Sequence, residues 1–379
     1  MLTMALFTMM TADAGTAAQL LSLAVRKYAM ITTVQNDPKN PVIPGERERR
    51  AFWTVKILDT AIGTRLGLPL TLVYEEYPLL VLRERFVQLK GFSPTLQAIS
   101  EISIMESNIY KRLYKQKALV QSDKLLMSSL NTLSRGLECW LQTVSVDLRP
   151  NLDHPTPLSI PSLEALMIHL AYCHCVDMVH WAARRHSSKG TYPTTISMDN
   201  QRVSVFIEMS RKAARATLRV LPAFPMGPFV DVWRLLCYPV SASINLFTGV
   251  LEYPLSVSAK SDVMWIKSFC NYVAKLEEDG CQVYVMLHAL LRMERLARAS
   301  ISEAKAISPV TDRRQLTTRQ NLEHLLASCT HPMYVAQGLL TNMETRDSAT
   351  TEALSEALGM GTLYKRHKRR GVFMPGCFR

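Results

Sequence analysis

Residues able to hold a metal or move a proton crowd one short stretch of this sequence. In IHLAYCHCVDMVHWAARRHS, His169, Cys173, His174, Cys175, His180 and His186 fall within eighteen residues. On a helix, His169 and Cys173 are four apart and share a face, as two ligands on one helix must. His180, seven further on, returns to roughly that face. One reading is therefore a zinc or copper site built on His169, Cys173 and His180. The other is a long buried helix in which the cysteines are small apolar core groups and the histidines make hydrogen bonds or sit at an edge. The stretch has no Cys-x-x-Cys pair, and no second ligand cluster lies elsewhere, which favours the buried helix.

Other catalytic patterns are absent. The sequence has no Gly-x-Ser-x-Gly elbow for an exposed serine. It has no glycine-rich phosphate loop and no His-Glu-x-x-His zinc helix. The acids Glu75, Glu76, Glu277, Glu278 and Asp279 are adjacent in sequence; neighbours on a helix diverge by about 100°, so they read as solvated faces rather than a convergent acid–base pair. The segment RERRAFW (47–53) is basic and ends in two aromatics. It reads as the start of a packed helix whose arginines pair with acids on a neighbour, rather than as a nucleic-acid contact.

The elements that must carry these residues are helical. Apolar residues recur at three- and four-residue steps over 17–33, 47–66, 94–118, 121–146, 160–186, 199–221, 229–253, 260–278, 281–306 and 313–328. In the second stretch Ala51, Val55, Leu58, Ile62 and Leu66 form one face, Gly67 stops the helix and Pro69 prevents its continuation. Residues 34–46 form a loop, and 70–92 an extended connector with a short helix around 78–88. Strand-like alternation is nowhere sustained. The expected fold is all-α, a multi-helical single domain over 1–345 with a buried helical core, followed by a polar, then basic, poorly ordered tail over 346–379.

Residues 46–71, ERERRAFWTVKILDTAIGTRLGLPLT, resemble the fungal-specific transcription factor domain, the regulatory region of fungal zinc-cluster transcription factors. The positions that carry the resemblance are Glu46, Arg49, Arg50, Phe52, Trp53, Asp59, Gly67 and Pro69; Leu68 stands where that family has a basic residue. The helix 168–183 resembles a second family segment through His169, Tyr172 and His180, and 205–221 a third through Ala213 and Ala214. Tyr238, Pro239, Ala259, Ser261 and Asp262 extend the likeness, which covers about 10–305.

The resemblance implies transcriptional regulation in the nucleus and a structural rather than catalytic use of these residues. It leaves room for a small-molecule effector, transcriptional co-regulators and a homodimer. The family's DNA-binding module, a six-cysteine binuclear zinc cluster, has no counterpart in the eight cysteines here. The sequence thus reads as starting inside the regulatory region, either as a fragment or truncated product or as a homologue lacking the zinc module, with zinc and sequence-specific DNA contact belonging to a module absent from it, and with no cofactor of its own. The competing expectations are an all-α enzyme or metal protein using the His169–His180 cluster, and a non-catalytic helical scaffold.

Charge fits the same picture. Forty-four Lys and Arg against 32 Asp and Glu give +12. Six of those twelve excess charges, Lys365, Arg366, Lys368, Arg369, Arg370 and Arg379, lie in the last seventeen residues. The run at 365–370 reads as a nuclear localisation signal or a solvated tail that binds DNA weakly. The scarce glycine, 15 of 379 residues, disfavours nucleotide-binding βαβ sheets. The N-terminus lacks the basic residues that precede the apolar stretch of a secretory signal, and no run of about 18 uncharged apolar residues marks a membrane helix. These features give an expectation of an intracellular, soluble protein with reduced cysteines and no membrane partner.

Overall fold

Among the described residues, apolar periodicity becomes helix. The computed structural model describes residues 14–35, 46–72, 93–153, 162–184, 198–225, 229–281, 283–306, 321–322, 325–326, 329–340 and 348–360. Among them the long elements are α1 (Ala14–Gln35), α2 (Glu46–Leu66), α3 (Pro94–Ile109), α4 (Asp123–Thr143), α5 (Leu163–Trp181), α6 (Met198–Arg219), α7 (Phe229–Glu252), α8 (Ala259–Glu278), α9 (Tyr284–Lys305), α10 (Pro332–Leu340) and α11 (Ser348–Ala357). No strand occurs among the described residues.

Local chemistry sets the helix ends. Ser93 and Ser162 cap α3 and α5 by accepting the Leu96 and Ala165 N–H at 3.3 and 3.1 Å. At the end of α2, Gly67 takes φ +71° and Leu68 N–H donates to Gly63 O at 2.9 Å, a left-handed C-terminal cap that closes the helix. The chain then folds back, and Asp59 accepts the N–H of Thr71 and Leu72 at 3.1 and 2.9 Å. Asp59, Gly67 and Pro69 thus build one turn. Past α3 a single π turn, Tyr110–Tyr114, carries Tyr114, whose O–H donates to Met178 O of α5 at 2.6 Å.

Three cores form. α1 and α2 bury Leu21, Val25, Phe52, Trp53, Ile62 and Leu66 with Leu72. α3, α4 and α5 share a second core around Ile102, Leu130, Leu137, Ile168 and Val179. The largest core gathers α6 to α11 around Leu218, Val240, Phe247, Ile266, Phe269, Leu290 and Leu326. Helix α5 is buried all round and serves both of the larger cores, which explains why its sequence lacks a polar face. Ion pairs join the helices at the edge of the third core. Arg215 grips Asp262 at 2.7 and 3.0 Å, and Arg184 and Arg211 converge on Glu252. The stretch Leu235–Glu252 of α7 is long and apolar enough to cross a membrane, but 89% of it is buried inside the protein.

Two expectations change. The tail does not begin at 346 as a poorly ordered segment: α11 is a helix, and Thr351, Leu354, Ser355 and Leu358 are buried at three- and four-residue steps, which a glance at SATTEALSEALG passes over because short polar residues separate them. Of the arginines of RERRAFW, Arg50 does not use an acid on a neighbour among the described residues: it pairs with Glu46 one turn back at 2.5 Å, both about 60% exposed, an arrangement worth little. The expected helices at 78–88 and most of 313–328, and the basic run 365–370, lie outside the described residues.

Candidate functional site

The metal reading of the His–Cys stretch meets a distance problem. His169 Nε2 lies 3.5 Å from Cys173 Sγ, so that pair does meet. His180 also faces α6, with its ring 5.2 Å from that of Phe206, while His169 sits near Ala216. Eleven residues at 1.5 Å each separate the two histidines by ~16 Å, too far to share an ion. Among the described residues no group of three or more His, Cys, Asp or Glu is arranged to hold a metal. Burial pushes the Cys173 thiol up to about 12, away from the thiolate that binds metal. Burial likewise pulls His169 and His180 down to about 4, so both rings are neutral near pH 7. Tyr172 stacks on Trp140 with ring centres 5.8 Å apart.

The other face of α5 holds a buried polar seam. Asp177 Oδ1 accepts from Ser210 Oγ on α6 at 2.5 Å and from Asn245 Nδ2 on α7 at 2.7 Å. Asn245 Nδ2 is also 2.7 Å from Ser210 Oγ. His331, just ahead of α10, accepts the Met333 N–H at Nδ1 at 3.0 Å. Its proton is thereby assigned to Nε2, which lies 3.3 Å from Asp177 Oδ2. One carboxylate thus ties α5 to α6, α7 and the approach to α10.

The seam continues toward α2 and α3. His174 stands edge-on to both Tyr238 and His331, with ring centres 5.7 and 5.5 Å away. Its Nε2 is 3.7 Å from Glu106 Oε1 on α3. Thr64 Oγ1 donates to Glu106 at 2.5 Å, Lys56 Nζ donates to Ser107 at 3.2 Å, and Arg65 donates to Tyr238 Oη at 2.8 Å. Burial raises the Glu106 carboxyl above its usual range, against the pull of Thr64, Arg65 and Lys56. Burial, then His331 and Arg65, holds His174 well below 6.5. The 3.7 Å contact is therefore not an ion pair: desolvation keeps both partners toward their neutral forms.

Among the described residues the seam encloses little space around His174 and Asp177. The void bounded by Cys173, His174, Asp177, Thr217, Tyr238 and Ser241 measures about 10 Å³, the size that holds one water. Space exists elsewhere. A groove of about 330 Å³ opens between the end of α6, the turn Leu221–Ala223 and α8, lined by Leu218, Leu221, Pro222, Phe224, Trp265, Ser268, Asn271, Tyr272 and Lys275.

The residues singled out in sequence divide accordingly. Phe52 and Trp53 pack edge-to-face at 5.4 Å inside the first core, Arg49 is half-buried, and Glu46 and Arg50 are exposed. Asp59, Gly67 and Pro69 form the α2 turn. The residues that sequence reading missed are Lys56, Arg65, Glu106, Asp177, Ser210, Asn245 and His331. A signal existed for two of them: Asp177 and Asn245 interrupt otherwise apolar runs in α5 and α7.

The chain is similar to fungal transcription factors. It is 29% identical over 287 residues, 70% of its length, to an ABC-transporter-regulating transcription factor of Aspergillus oryzae. It is 28% identical over 287 residues to a protein of the same description from Aspergillus fumigatus. In both, the matched stretch covers 32% of the relative, so the chain spans about a third of the length of these curated proteins. No protein-family profile and no solved structure matches the chain.

Proposed function

We propose that this chain is the regulatory, non-catalytic part of a fungal transcription factor of the fungal-specific transcription factor domain type. The observation that carries the reading is the 29% identity spread over 70% of the chain. The all-helical fold agrees with it. In this reading the signature residues are structural: Asp59, Gly67 and Pro69 make a turn, and His169, Tyr172 and His180 pack α5 against α6 and α4. DNA is read by a zinc-cluster module outside this sequence, the protein acts in the nucleus, and its targets include genes for ABC transporters, as in the relatives' descriptions. Co-regulators or a second copy of the chain are the protein partners this role calls for. The basic run Lys365, Arg366, Lys368, Arg369 and Arg370 is the import signal in this reading, and a reporter fused to residues 360–379 that stays cytoplasmic would remove that assignment.

The regulatory property belongs to the packing. A seam that joins α2, α3, α5, α6, α7 and the approach to α10 through buried polar contacts has few intermediate arrangements, because each half-broken version leaves desolvated groups unpaired. Such an interior favours two discrete packings over a continuum, which is what a ligand or partner needs in order to shift a population. Transcript profiling after disruption of the coding sequence in the fungus that carries it tests the role. Altered transcripts of transporter genes are expected; an unchanged transcriptome under the conditions where the protein is made contradicts it.

A further inference from the structure

The groove beside α8 is shaped for a small ligand, and its walls fix the chemistry. One side is apolar, from Leu218, Leu221, Pro222 and Phe224. The floor is aromatic and already set: Tyr272 stands edge-on to Phe224 with ring centres 5.8 Å apart, and its O–H donates to Pro225 O at 3.0 Å. Trp265 packs partly against the large core and completes the aromatic surface. The opposite lip is polar. Ser268, Asn271 and Lys275 repeat at three- and four-residue steps along α8, so they form one exposed row. Ser268 Oγ is engaged with Met264 O at 3.1 Å; among the described residues the Asn271 amide and the Lys275 ammonium have no side-chain partner. A cation and an amide donor on the α8 rim of an aromatic-lined groove match a flat apolar body with one anionic head. The volume, about 330 Å³, falls at the lower end of ligand pockets and is too small for a packed helix.

We infer that this groove binds a small aromatic anion, its rings against Trp265, Phe224 and Tyr272 and its acidic group at Lys275 and Asn271. The inference deepens the regulatory reading, since it gives the domain a place for a signal to enter, but its binding test stands apart from transcription. A preformed aromatic wall lowers the ordering cost of binding, and the charge-assisted contact at Lys275 selects the anion over its neutral counterpart.

The test uses a matched pair of fluorescent probes, 8-anilinonaphthalene-1-sulfonate and N-phenyl-1-naphthylamine, which share their rings and differ in the sulfonate. Saturable binding of the anilinonaphthalene sulfonate to one site on the full chain is expected. Lys275→Gln should weaken it by about tenfold and leave the neutral amine nearly unchanged. Ser268→Phe, at an exposed position, should fill the groove and remove both, with near-ultraviolet circular dichroism reporting an intact fold. Non-saturable binding, or binding untouched by Ser268→Phe, overturns the site and leaves the groove to a protein side chain. Equal weakening of both probes by Lys275→Gln overturns the anionic class. If the site binds and Ser268→Phe leaves regulated transcription unchanged, the site stands and its regulatory role falls. If transcription is regulated without probe binding, the site falls and the regulatory reading of the chain stands.

Discussion

The seam around Asp177 and the groove beside α8 are opposites. The seam has the chemistry of an active site, with two carboxylates, two facing histidines and several hydroxyls, and room for about one water. The groove has room for a small molecule and almost no reactive groups. Polar residues in a helical interior are therefore a poor guide to catalysis unless a space adjoins them. Here the buried polar groups join helices to one another, whereas the groove sets an apolar and aromatic wall against an exposed polar row on α8.

If the seam is a structural tie, its central carboxylate should carry the largest cost. Asp177→Ala takes the shared acceptor from Ser210 and Asn245 and the facing carboxylate from His331, and a loss of about 3–5 kcal/mol in urea unfolding is expected. A loss under about 1 kcal/mol would mean that the seam is dispensable. The same variant should leave anilinonaphthalene sulfonate affinity within about twofold wherever the fold is retained.

Acid should attack the packing of α5, on both of its faces, and spare the groove. A histidine whose folded pKa is about 4 binds fewer protons than its unfolded counterpart, near 6.5, between those two values. Stability from His169 and His180 is therefore complete above about pH 6.5 and is lost as pH falls toward 4. His174, held well below 6.5, has the same sign. Glu106, raised by burial, has the opposite sign, since the folded state keeps its proton to higher pH. Three histidines outweigh one carboxyl, and a net loss of about 2–4 kcal/mol from pH 7 to pH 5 is expected in denaturant titrations. His180→Gln should shrink that loss, whereas Lys275→Gln should not. Equal stability at the two pH values would contradict the burial of these rings.

Smaller effects mark the α2 turn. Asp59→Ala strands the Thr71 and Leu72 N–H groups and should cost about 2 kcal/mol. Gly67→Ala forces a side chain into φ +71° and should cost about 1 kcal/mol. Thermal melts rank the two, and the opposite order would assign the turn to the glycine rather than the aspartate. The smallest change belongs to the groove lip, where Lys275→Gln should alter stability by less than about 0.5 kcal/mol.

Much of the fold was readable because helices announce themselves by period. α2 ends at Leu66, where Gly67 and Pro69 required it, and α3 starts after Ser93 with Pro94 as its first residue. α11 was missed because its buried face uses Thr351 and Ser355 as well as Leu354 and Leu358. The site was harder to read. The pairing of Asp177 with Ser210, Asn245 and His331 spans separations of 33, 68 and 154 positions, and no local pattern encodes such meetings. His174 was visible within its cluster, but its neighbours Glu106 and Tyr238 come from other helices. The groove was invisible for the same reason: its walls come from α6, a 3₁₀ turn and α8, and each contributes ordinary surface residues.

The central claim is that this chain regulates transcription without itself reading DNA. It is tested most directly by fusing residues 1–379 to an unrelated DNA-binding module and measuring a reporter that carries that module's site. The fusion is expected to change reporter output relative to the module alone, and Asp177→Ala to abolish that change while the fusion protein still occupies its site. Reporter output indistinguishable from the module alone, with the fusion folded, nuclear and bound, would contradict the account.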